Sequence, residues 1–150
     1  MTAYTAFLLT NAARRSLLDR FPPLYSMVKA DHITYRFGQQ GFGDLFHPRA
    51  VEVIGMVDSG DGLQALIVTV NGQQYRPDGG PYHITWSLDP KKYEAVHSNQ
   101  LVSRALELGF FTRIAPPVKI DVSPALITKP EEGPRTVLEF PRPPSFGPSP

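Results

Sequence analysis

The pattern of apolar and polar positions along the chain predicts a protein built mainly from β-strands. Short apolar runs, rich in β-branched and aromatic residues, recur between segments that contain glycine, proline, asparagine and aspartate, as strands and turns do. One such segment, Asp58-Ser59-Gly60-Asp61-Gly62, joins two runs and predicts a β-hairpin. The predicted strands cover residues 4–9, 30–37, 51–57, 63–70, 82–88, 118–122 and 136–140.

Two further segments have the composition and end signals of helices. Thr10 or Asn11 can cap a first helix, which two consecutive prolines bring to an end. A second helix is predicted over 99–108, with Ser98 as its cap and Gly109 as its C-terminal stop. Strands combined with two helices in this order indicate an α+β fold.

The length and composition fit one domain with a C-terminal tail. A chain of 150 residues, of which 41% are hydrophobic, is large enough to bury a substantial core. We expect a single domain over 1–140. Half of the last ten residues are prolines, so 141–150 is expected to form an extended or disordered tail.

Charge and cysteine content exclude several functional classes. The net charge of +1 creates no field strong enough to predict nucleic-acid or membrane binding, so a polyanionic substrate would need a local cluster of positive charge. The absence of cysteine excludes disulfides, thiolate metal sites and cysteine catalysis. No apolar run has membrane-spanning length, and the N-terminus lacks signal-peptide features. We therefore expect a cytoplasmic protein with no membrane association, no cofactor and no obligatory protein partner.

One tetrapeptide pattern occurs twice, as His32-Ile33-Thr34-Tyr35 and His83-Ile84-Thr85-Trp86, 51 residues apart. Each copy lies in a predicted strand. Because side chains alternate between the faces of a strand, the histidine and threonine of each copy point to one face, and the isoleucine and aromatic residue point to the other. We expect the two polar pairs to face each other across one cleft. Each half of the chain supplies one helix and one motif strand, which suggests pseudo-symmetry.

Two histidines and two threonines in one cleft suit the cleavage of a phosphodiester. In-line attack at phosphorus needs a base for the proton of the nucleophile and an acid for the leaving oxygen on the opposite side. Histidine, with an unperturbed pKa of about 6.5, supplies both forms near neutral pH, and no metal is required. The threonine hydroxyls can donate hydrogen bonds to non-bridging phosphate oxygens. Which histidine is the base is left open by the sequence.

Other interpretations use the motif residues differently. The histidines could be structural residues hydrogen-bonded to neighbouring threonines, or the cleft could bind nucleotides or RNA without catalysis. A zinc site would need a third well-spaced protein ligand, which neither strand supplies. The histidine-triad nucleotide hydrolases are excluded, because they need alternating histidines on one strand, where this chain has threonine.

The two motif segments, residues 30–38 and 81–88, resemble those of the 2H phosphoesterases. Among these, they are most similar to the RNA-repair-like branch related to the cyclic-phosphodiesterase domains of tRNA ligases. The resemblance implies a bilobal fold, in which two antiparallel sheets flank a central cleft and helices pack outside. The implied activity is metal-independent hydrolysis of 2′,3′-cyclic phosphate ends of RNA or of related nucleotide phosphodiesters. The alternative within the family is a hydrolase of cyclic di- or oligonucleotide signals, of the phage anti-defence type.

The resemblance also assigns roles to the motif residues, and the sequence adds four candidates for substrate contacts. It implies that His32 and His83 are the acid–base pair and that Thr34 and Thr85 hold the phosphate. The additional candidates are Arg36 and Ser87, which continue the alternation of the polar faces, and Tyr82 and Phe42, which could stack on a base near the cleft.

Overall fold

The computed structural model describes residues 2–142, and nine strands within them form an antiparallel sheet that packs with two α-helices. In chain order the elements are β1 (Thr2–Leu9), α1 (Asn11–Arg20), β2 (Met27–Val28), β3 (His32–Phe37), β4 (Val51–Asp58), β5 (Leu63–Val70), β6 (His83–Leu88), a 3-10 helix (Ala95–His97), α2 (Ser98–Leu108), β7 (Thr112–Lys119), β8 (Val122–Lys129) and β9 (Thr136–Glu139). The predicted α+β class is confirmed. Most of the predicted tail, 143–150, lies outside the described residues.

Several element boundaries follow directly from local signals. β5 has the predicted bounds, and the turn at 58–62 joins β4 to β5 in an antiparallel hairpin. The hydroxyl of Thr10 caps α1 by accepting a hydrogen bond from Ala13 N at 3.2 Å. Gly109 ends α2 in the left-handed conformation, with a φ of 77°.

The predicted strand over 118–122 is wrong as a single element. Its first two residues end β7, its last residue begins β8, and residues 120–121 connect the two strands. β7 and β8 lie in different parts of the sheet: β7 pairs with β4, and β8 pairs with β1. Pro116 and Pro117 lie in β7. This strand is at the edge of the described sheet, where the missing N–H groups of proline can be tolerated. Because prolines normally argue against a strand, the sequence carried no signal for β7 before Val118.

The two motif strands, β3 and β6, meet at the centre of the sheet. The strand order is β7-β4-β5-β6-β3-β1-β8-β9, and β2 adds to β6. β3 and β6 pair antiparallel only at Ile33 and Ile84, whereas β3 with β1, and β6 with β5, pair at five positions each. The resemblance implied two separate sheets. The described strands instead form one hydrogen-bonded sheet, divided at this narrow junction into two groups of strands.

The larger hydrophobic core lies on one face of the sheet, beneath the motif strands. It contains Ile33, Ile84, Tyr35 and Trp86, together with Leu17 of α1. All five are buried, as alternation requires of the isoleucine and aromatic positions of the motifs.

A smaller core holds α2 against the opposite face of the sheet. Val102 and Ala105 of α2 pack with Ala65 and Ile67 of β5, while Leu66, which lies between the two β5 residues, belongs to the larger core. α2 therefore lies on the same side of the sheet as the motif histidines and threonines.

Candidate active site

The pairing of the two motif isoleucines determines how the motifs meet. In an antiparallel pair of strands, the residue before a paired residue lies opposite the residue that follows its partner. His32 therefore comes opposite Thr85, and Thr34 comes opposite His83. Opposed residues point to the same face of a sheet. All four polar side chains thus lie on one face, related by a local twofold axis through the isoleucine pair.

Each motif strand has a β-bulge at its aromatic residue. Consecutive residues of β1 pair with residues 34 and 36 of β3, so Tyr35 is an extra, unpaired residue. In the same way, consecutive residues of β5 pair with residues 85 and 87 of β6, so Trp86 is the extra residue there. A bulge interrupts side-chain alternation and increases local twist. The two strands therefore diverge soon after the isoleucine pair, and the residues that follow each bulge leave the polar face.

The four motif side chains line one cavity of about 540 Å³. They enter it from β3 and β6, and Asn99 of α2 lines it from the helical side. The volume is within the range of about 300–1,000 Å³ that is typical of small-ligand sites. The structure thus brings together the residues that the repeated motif singles out.

His83 is almost completely buried, with 8% of its surface exposed. Its Nδ1 donates a hydrogen bond to the carbonyl oxygen of Pro81 at 2.8 Å, which leaves the lone pair of the neutral ring on Nε2. Burial lowers the pKa of His83 to about 4, against the effect of the Pro81 hydrogen bond, and the positive charges of Arg76 and His32 contribute to the lowering. His83 is therefore neutral near physiological pH and can accept a proton at Nε2.

His32 is more exposed, with 27% of its side chain accessible. Its Nδ1 lies 2.9 Å from Oδ2 of Asp31, and Arg135 makes a two-point contact with the same carboxylate. Burial acts to raise the pKa of Asp31, but the hydrogen bonds from His32 and Arg135 hold it well below its usual range. The ionised Asp31 therefore gives a protonated His32 a negative partner.

Thr85 is tied to the start of α2. Its Oγ1 lies 2.9 Å from the hydroxyl of Ser98 and 3.4 Å from the carbonyl oxygen of Ala95. Ser98, which the sequence predicts as a helix cap, is instead the first residue of α2 and is fully buried. Thr85 donates in these contacts; because a hydroxyl both donates and accepts, Ser98 could instead donate to Thr85 when Thr85 turns its proton from Ala95 to a ligand.

Positive charge is concentrated around the motif residues. Lys29, Arg76, Lys129 and Arg135 line the cavity, and among residues 2–142 Asp31 is the one carboxylate that lines it with them. Asp78 pairs with Arg76 from outside the lining, so positive charge is still in excess around the cavity of a chain whose net charge is only +1. The cations come from four separate segments, so no stretch of sequence contains a basic cluster that would have revealed them.

Arg76 is the candidate residue that the sequence analysis missed. Only 6% of its side chain is exposed. Nε donates to Oδ1 of Asp78 at 3.0 Å, and Cζ lies 5.5 Å from the centre of the Phe37 ring. Nη1 is buried and has no hydrogen-bond partner among residues 2–142. Leaving such a donor unpaired costs about 1–3 kcal/mol, so an acceptor oxygen of a bound anion would be stabilised here.

Arg36 and Ser87, the residues that follow the bulges, do not line this cavity. Arg36 forms a two-point ion pair with Asp44, with Nε 2.8 Å from Oδ1 and Nη2 2.9 Å from Oδ2. Ser87 is fully buried and donates to Oε1 of Gln64 at 2.7 Å. Their predicted contacts with substrate relied on alternation continuing past Tyr35 and Trp86, where the bulges interrupt it.

Tyr82 and Phe42 also lie away from the cavity walls. Tyr82 belongs to the larger core, where burial raises the pKa of its hydroxyl to about 12. As the neighbour of His83, it points to the opposite face of the sheet. Phe42 packs against the larger core with its ring 5.1 Å from that of Phe140. Neither side chain can stack on a base bound between the motif histidines.

Among residues 2–142, no group of three or more histidine, aspartate or glutamate side chains is arranged to hold a metal ion. Neither α-helix of this part of the chain has the length and apolarity to cross a membrane. Comparisons of the chain with protein-family models, curated proteins and solved structures found no match.

Proposed function

We propose that the protein is a metal-independent phosphodiesterase that hydrolyses 2′,3′-cyclic phosphate ends of RNA, or related nucleotide phosphodiesters, with two histidines as acid and base. The observation that carries this proposal is the meeting of His32, Thr34, His83 and Thr85 in one cavity with an excess of positive charge. Two imidazoles supply both proton transfers, and hydroxyls and cations supply the charge stabilisation that cleavage requires.

His83 acts as the base. Its Nδ1 is held by the Pro81 carbonyl, so Nε2 carries the lone pair, and the low pKa keeps the ring unprotonated. A water molecule attacks phosphorus while Nε2 takes one of its protons. The new P–O bond forms in line with the bond that breaks.

His32 acts as the acid. Because its Nδ1–H faces Asp31, the protonated ring carries its other proton on Nε2. That proton passes to the ribose oxygen as the P–O bond of the cyclic phosphate breaks. The products are a phosphomonoester and a ribose hydroxyl, one water is consumed, and exchange with solvent returns both histidines to their starting states.

The two threonines hold the phosphate between the histidines. The local twofold axis puts each threonine across from the histidine of the other motif. A phosphorus atom near that axis would have an imidazole on each side and a hydroxyl near each non-bridging oxygen. Hydrogen bonds to oxygens that gain charge in the transition state stabilise it selectively.

The strand groups on either side of the isoleucine pair correspond, in this proposal, to the two lobes of the 2H arrangement. One group is β9-β8-β1-β3 and the other is β7-β4-β5-β6. Support comes from the single residue pair at which β3 pairs with β6 and from the position of the motif cavity at that junction.

The activity is tested with purified protein and chelator on nucleoside 2′,3′-cyclic phosphates, RNA with a cyclic-phosphate end, and cyclic di- and trinucleotides. We expect the cyclic-phosphate ends to be opened to phosphomonoesters. His32→Ala and His83→Ala should each lower kcat/KM by about 10²-fold or more. His47→Ala is the matched control, because that ring stacks on Phe140 outside the cavity.

Three other outcomes of this assay would contradict all or part of the proposal. Full activity in His32→Ala or in His83→Ala would contradict the acid–base assignment. Preferential opening of cyclic di- or trinucleotides would support the signal hydrolase instead. Binding of nucleotides without turnover of any substrate would support a non-catalytic binding module.

The roles of the two histidines are separated by a substrate that needs no acid. A nucleotide p-nitrophenyl phosphodiester has a leaving group that departs without protonation. On this substrate, His32→Ala should lose much less activity than it loses on the cyclic phosphate, while His83→Ala should lose as much on both. If His83→Ala instead lost much less activity on this substrate, His83 would be the acid and His32 the base.

A further inference from the structure

A second cavity adjoins the motif cavity and shares part of its wall. Its volume is about 800 Å³. Arg76 and Asn99 line both cavities, so the two cavities meet at these two side chains. The remaining walls of the second cavity include Tyr93, His97 and Arg104.

The two shared residues have unpaired, buried polar atoms of opposite type. Nη1 of Arg76 is a donor and Oδ1 of Asn99 is an acceptor, and neither has a hydrogen-bond partner within residues 2–142. The amide nitrogen of Asn99 donates to the carbonyl oxygen of Val96 at 3.1 Å, which identifies Oδ1 as the free acceptor. A ligand at this boundary would satisfy both if it offered one acceptor and one donor.

The guanidinium of Arg76 is held in this position from several sides. Asp78 binds Nε, Cζ lies over the Phe37 ring, and Gly80 leaves space for the guanidinium. A Cβ atom on Gly80 would come within 2.8 Å of Cζ of Arg76. A fixed and desolvated guanidinium loses little freedom when it binds an anion.

We propose that the second cavity is a subsite for the nucleotide that precedes the cyclic-phosphate end, so that the substrate is a ribo-oligonucleotide of at least two units. This inference rests on the proposed function. The linkage between two ribonucleotides offers a phosphate oxygen, which accepts from Arg76 Nη1, and a 2′-hydroxyl, which donates to Asn99 Oδ1. A DNA linkage offers only the first of these, and a mononucleotide offers neither.

The second cavity has side chains suited to the preceding nucleotide. The rings of Tyr93 and His97 lie 5.6 Å apart, edge to face, and present an aromatic surface on which a base can stack. Arg104, on α2, adds a positive charge for a further phosphate or for the base. Stacking depends little on base identity, so we expect a preference for length and sugar, not for sequence.

The experiment compares three substrates that all end in a 2′,3′-cyclic phosphate: a mononucleoside, a diribonucleotide, and the same dinucleotide with a 2′-deoxy sugar in its first unit. The diribonucleotide should have a kcat/KM about tenfold to a hundredfold above the mononucleoside, as expected for added hydrogen bonds to charged groups. The deoxy substitution should remove part of that advantage. Arg104→Ala should reduce it, whereas Arg15→Ala, a matched arginine on α1 outside both cavities, should preserve it.

The test separates failure of this subsite from failure of the proposed function. Equal kcat/KM for the mononucleoside and the diribonucleotide, with histidine-dependent hydrolysis of both, would overturn the subsite and leave the function intact. If no cyclic phosphate is opened, calorimetric titration decides. A diribonucleotide 3′-phosphate should bind more tightly than a mononucleoside 3′-phosphate, and Arg104→Ala should remove the difference. Equal affinities would overturn the subsite.

Discussion

Ile33 lies opposite Ile84, and within residues 2–142 no other residues of β3 and β6 are paired in the sheet. Both side chains are fully buried in the larger core, directly beneath the motif histidines and threonines. The segment before β3 also makes backbone hydrogen bonds to β6, from Lys29 N to Trp86 O and from Ala30 N to Thr85 O, but β3 itself pairs with β6 only at the isoleucines. The relative position of the two histidines therefore depends on how the two isoleucines pack, and a change in the core should be detectable as a change in activity.

Ile84→Val tests this dependence. Removing one buried methyl group should lower the free energy of unfolding by about 0.5–1.5 kcal/mol. It should also lower kcat several-fold, because small displacements of reacting groups reduce rates strongly. Ile127→Val is the matched control, since Ile127 is equally buried in β8 and lies outside the motif strands. Urea unfolding and steady-state kinetics should show similar losses of stability but a loss of kcat only for Ile84→Val. Equal effects on kcat would contradict the dependence.

Burial of His83 should make the fold less stable as the pH falls. Its pKa in the folded chain is about 4, below the ordinary value of 6.5. Between these values the unfolded chain holds a proton on this histidine that the folded chain does not hold. The free energy of unfolding therefore rises with pH across this window. At about 1.4 kcal/mol for each pKa unit, the total change is about 3 kcal/mol.

His83→Asn isolates this contribution, because its amide can replace Nδ1 as the donor to Pro81 and does not titrate. Urea unfolding between about pH 4 and about pH 7 should show a flatter pH dependence in the variant than in the unchanged protein. Asp31 acts with the same sign but at lower pH. Its pKa is well below the usual range, so the stability that it contributes is lost mainly below about pH 4. Parallel curves for the two proteins would show that His83 is not titrating as described.

The motif residues and the charged residues around them differ in how far the sequence reveals them. His32 and His83 could be predicted because strand alternation is a local property and the motif occurs twice. Arg36 and Ser87 were placed wrongly relative to the cavity because a bulge depends on the register with a neighbouring strand, which a single strand does not encode. Arg76 could not be predicted at all, since only the folded chain brings its loop to the motifs.

The two motif threonines should respond differently to replacement by valine. Thr34→Val and Thr85→Val should each lower kcat by about tenfold to a hundredfold, the loss expected for one hydrogen bond to a charged oxygen. Thr85→Val also leaves the buried hydroxyl of Ser98 without its 2.9 Å partner. Thermal or urea unfolding should therefore show an additional loss of about 1–3 kcal/mol for this variant.

The double variant Thr85→Val/Ser98→Ala separates the two effects on Thr85. Removing both hydroxyls should recover most of the lost stability, because no buried polar group then remains unpaired. It should not recover kcat, because the phosphate still lacks its donor. Recovery of activity together with stability would mean that Thr85 acts only by positioning α2.

Gly80→Ala should disable Arg76 without changing Arg76 itself. The added Cβ would meet the end of a flexible side chain rather than backbone, and Gly80, unlike its neighbour Gly79, has no positive φ that would strain an alanine. The backbone can therefore accept an alanine, and the loss of stability should be limited to the contacts that Arg76 gives up, about 1–3 kcal/mol. The guanidinium, however, must leave its place beside Asp78 and above Phe37.

We expect Gly80→Ala to lower kcat/KM for the diribonucleotide substrate by about tenfold to a hundredfold, close to the loss in Arg76→Ala. Gly41→Ala is the matched control, because a Cβ there meets nothing within 4 Å and that glycine also has no positive φ. The variants Gly80→Ala and Arg76→Ala act on the same group, so their combination should lose no more activity than either alone. Additive losses, or an unchanged kcat/KM in Gly80→Ala, would show that substrate does not depend on the position of this guanidinium.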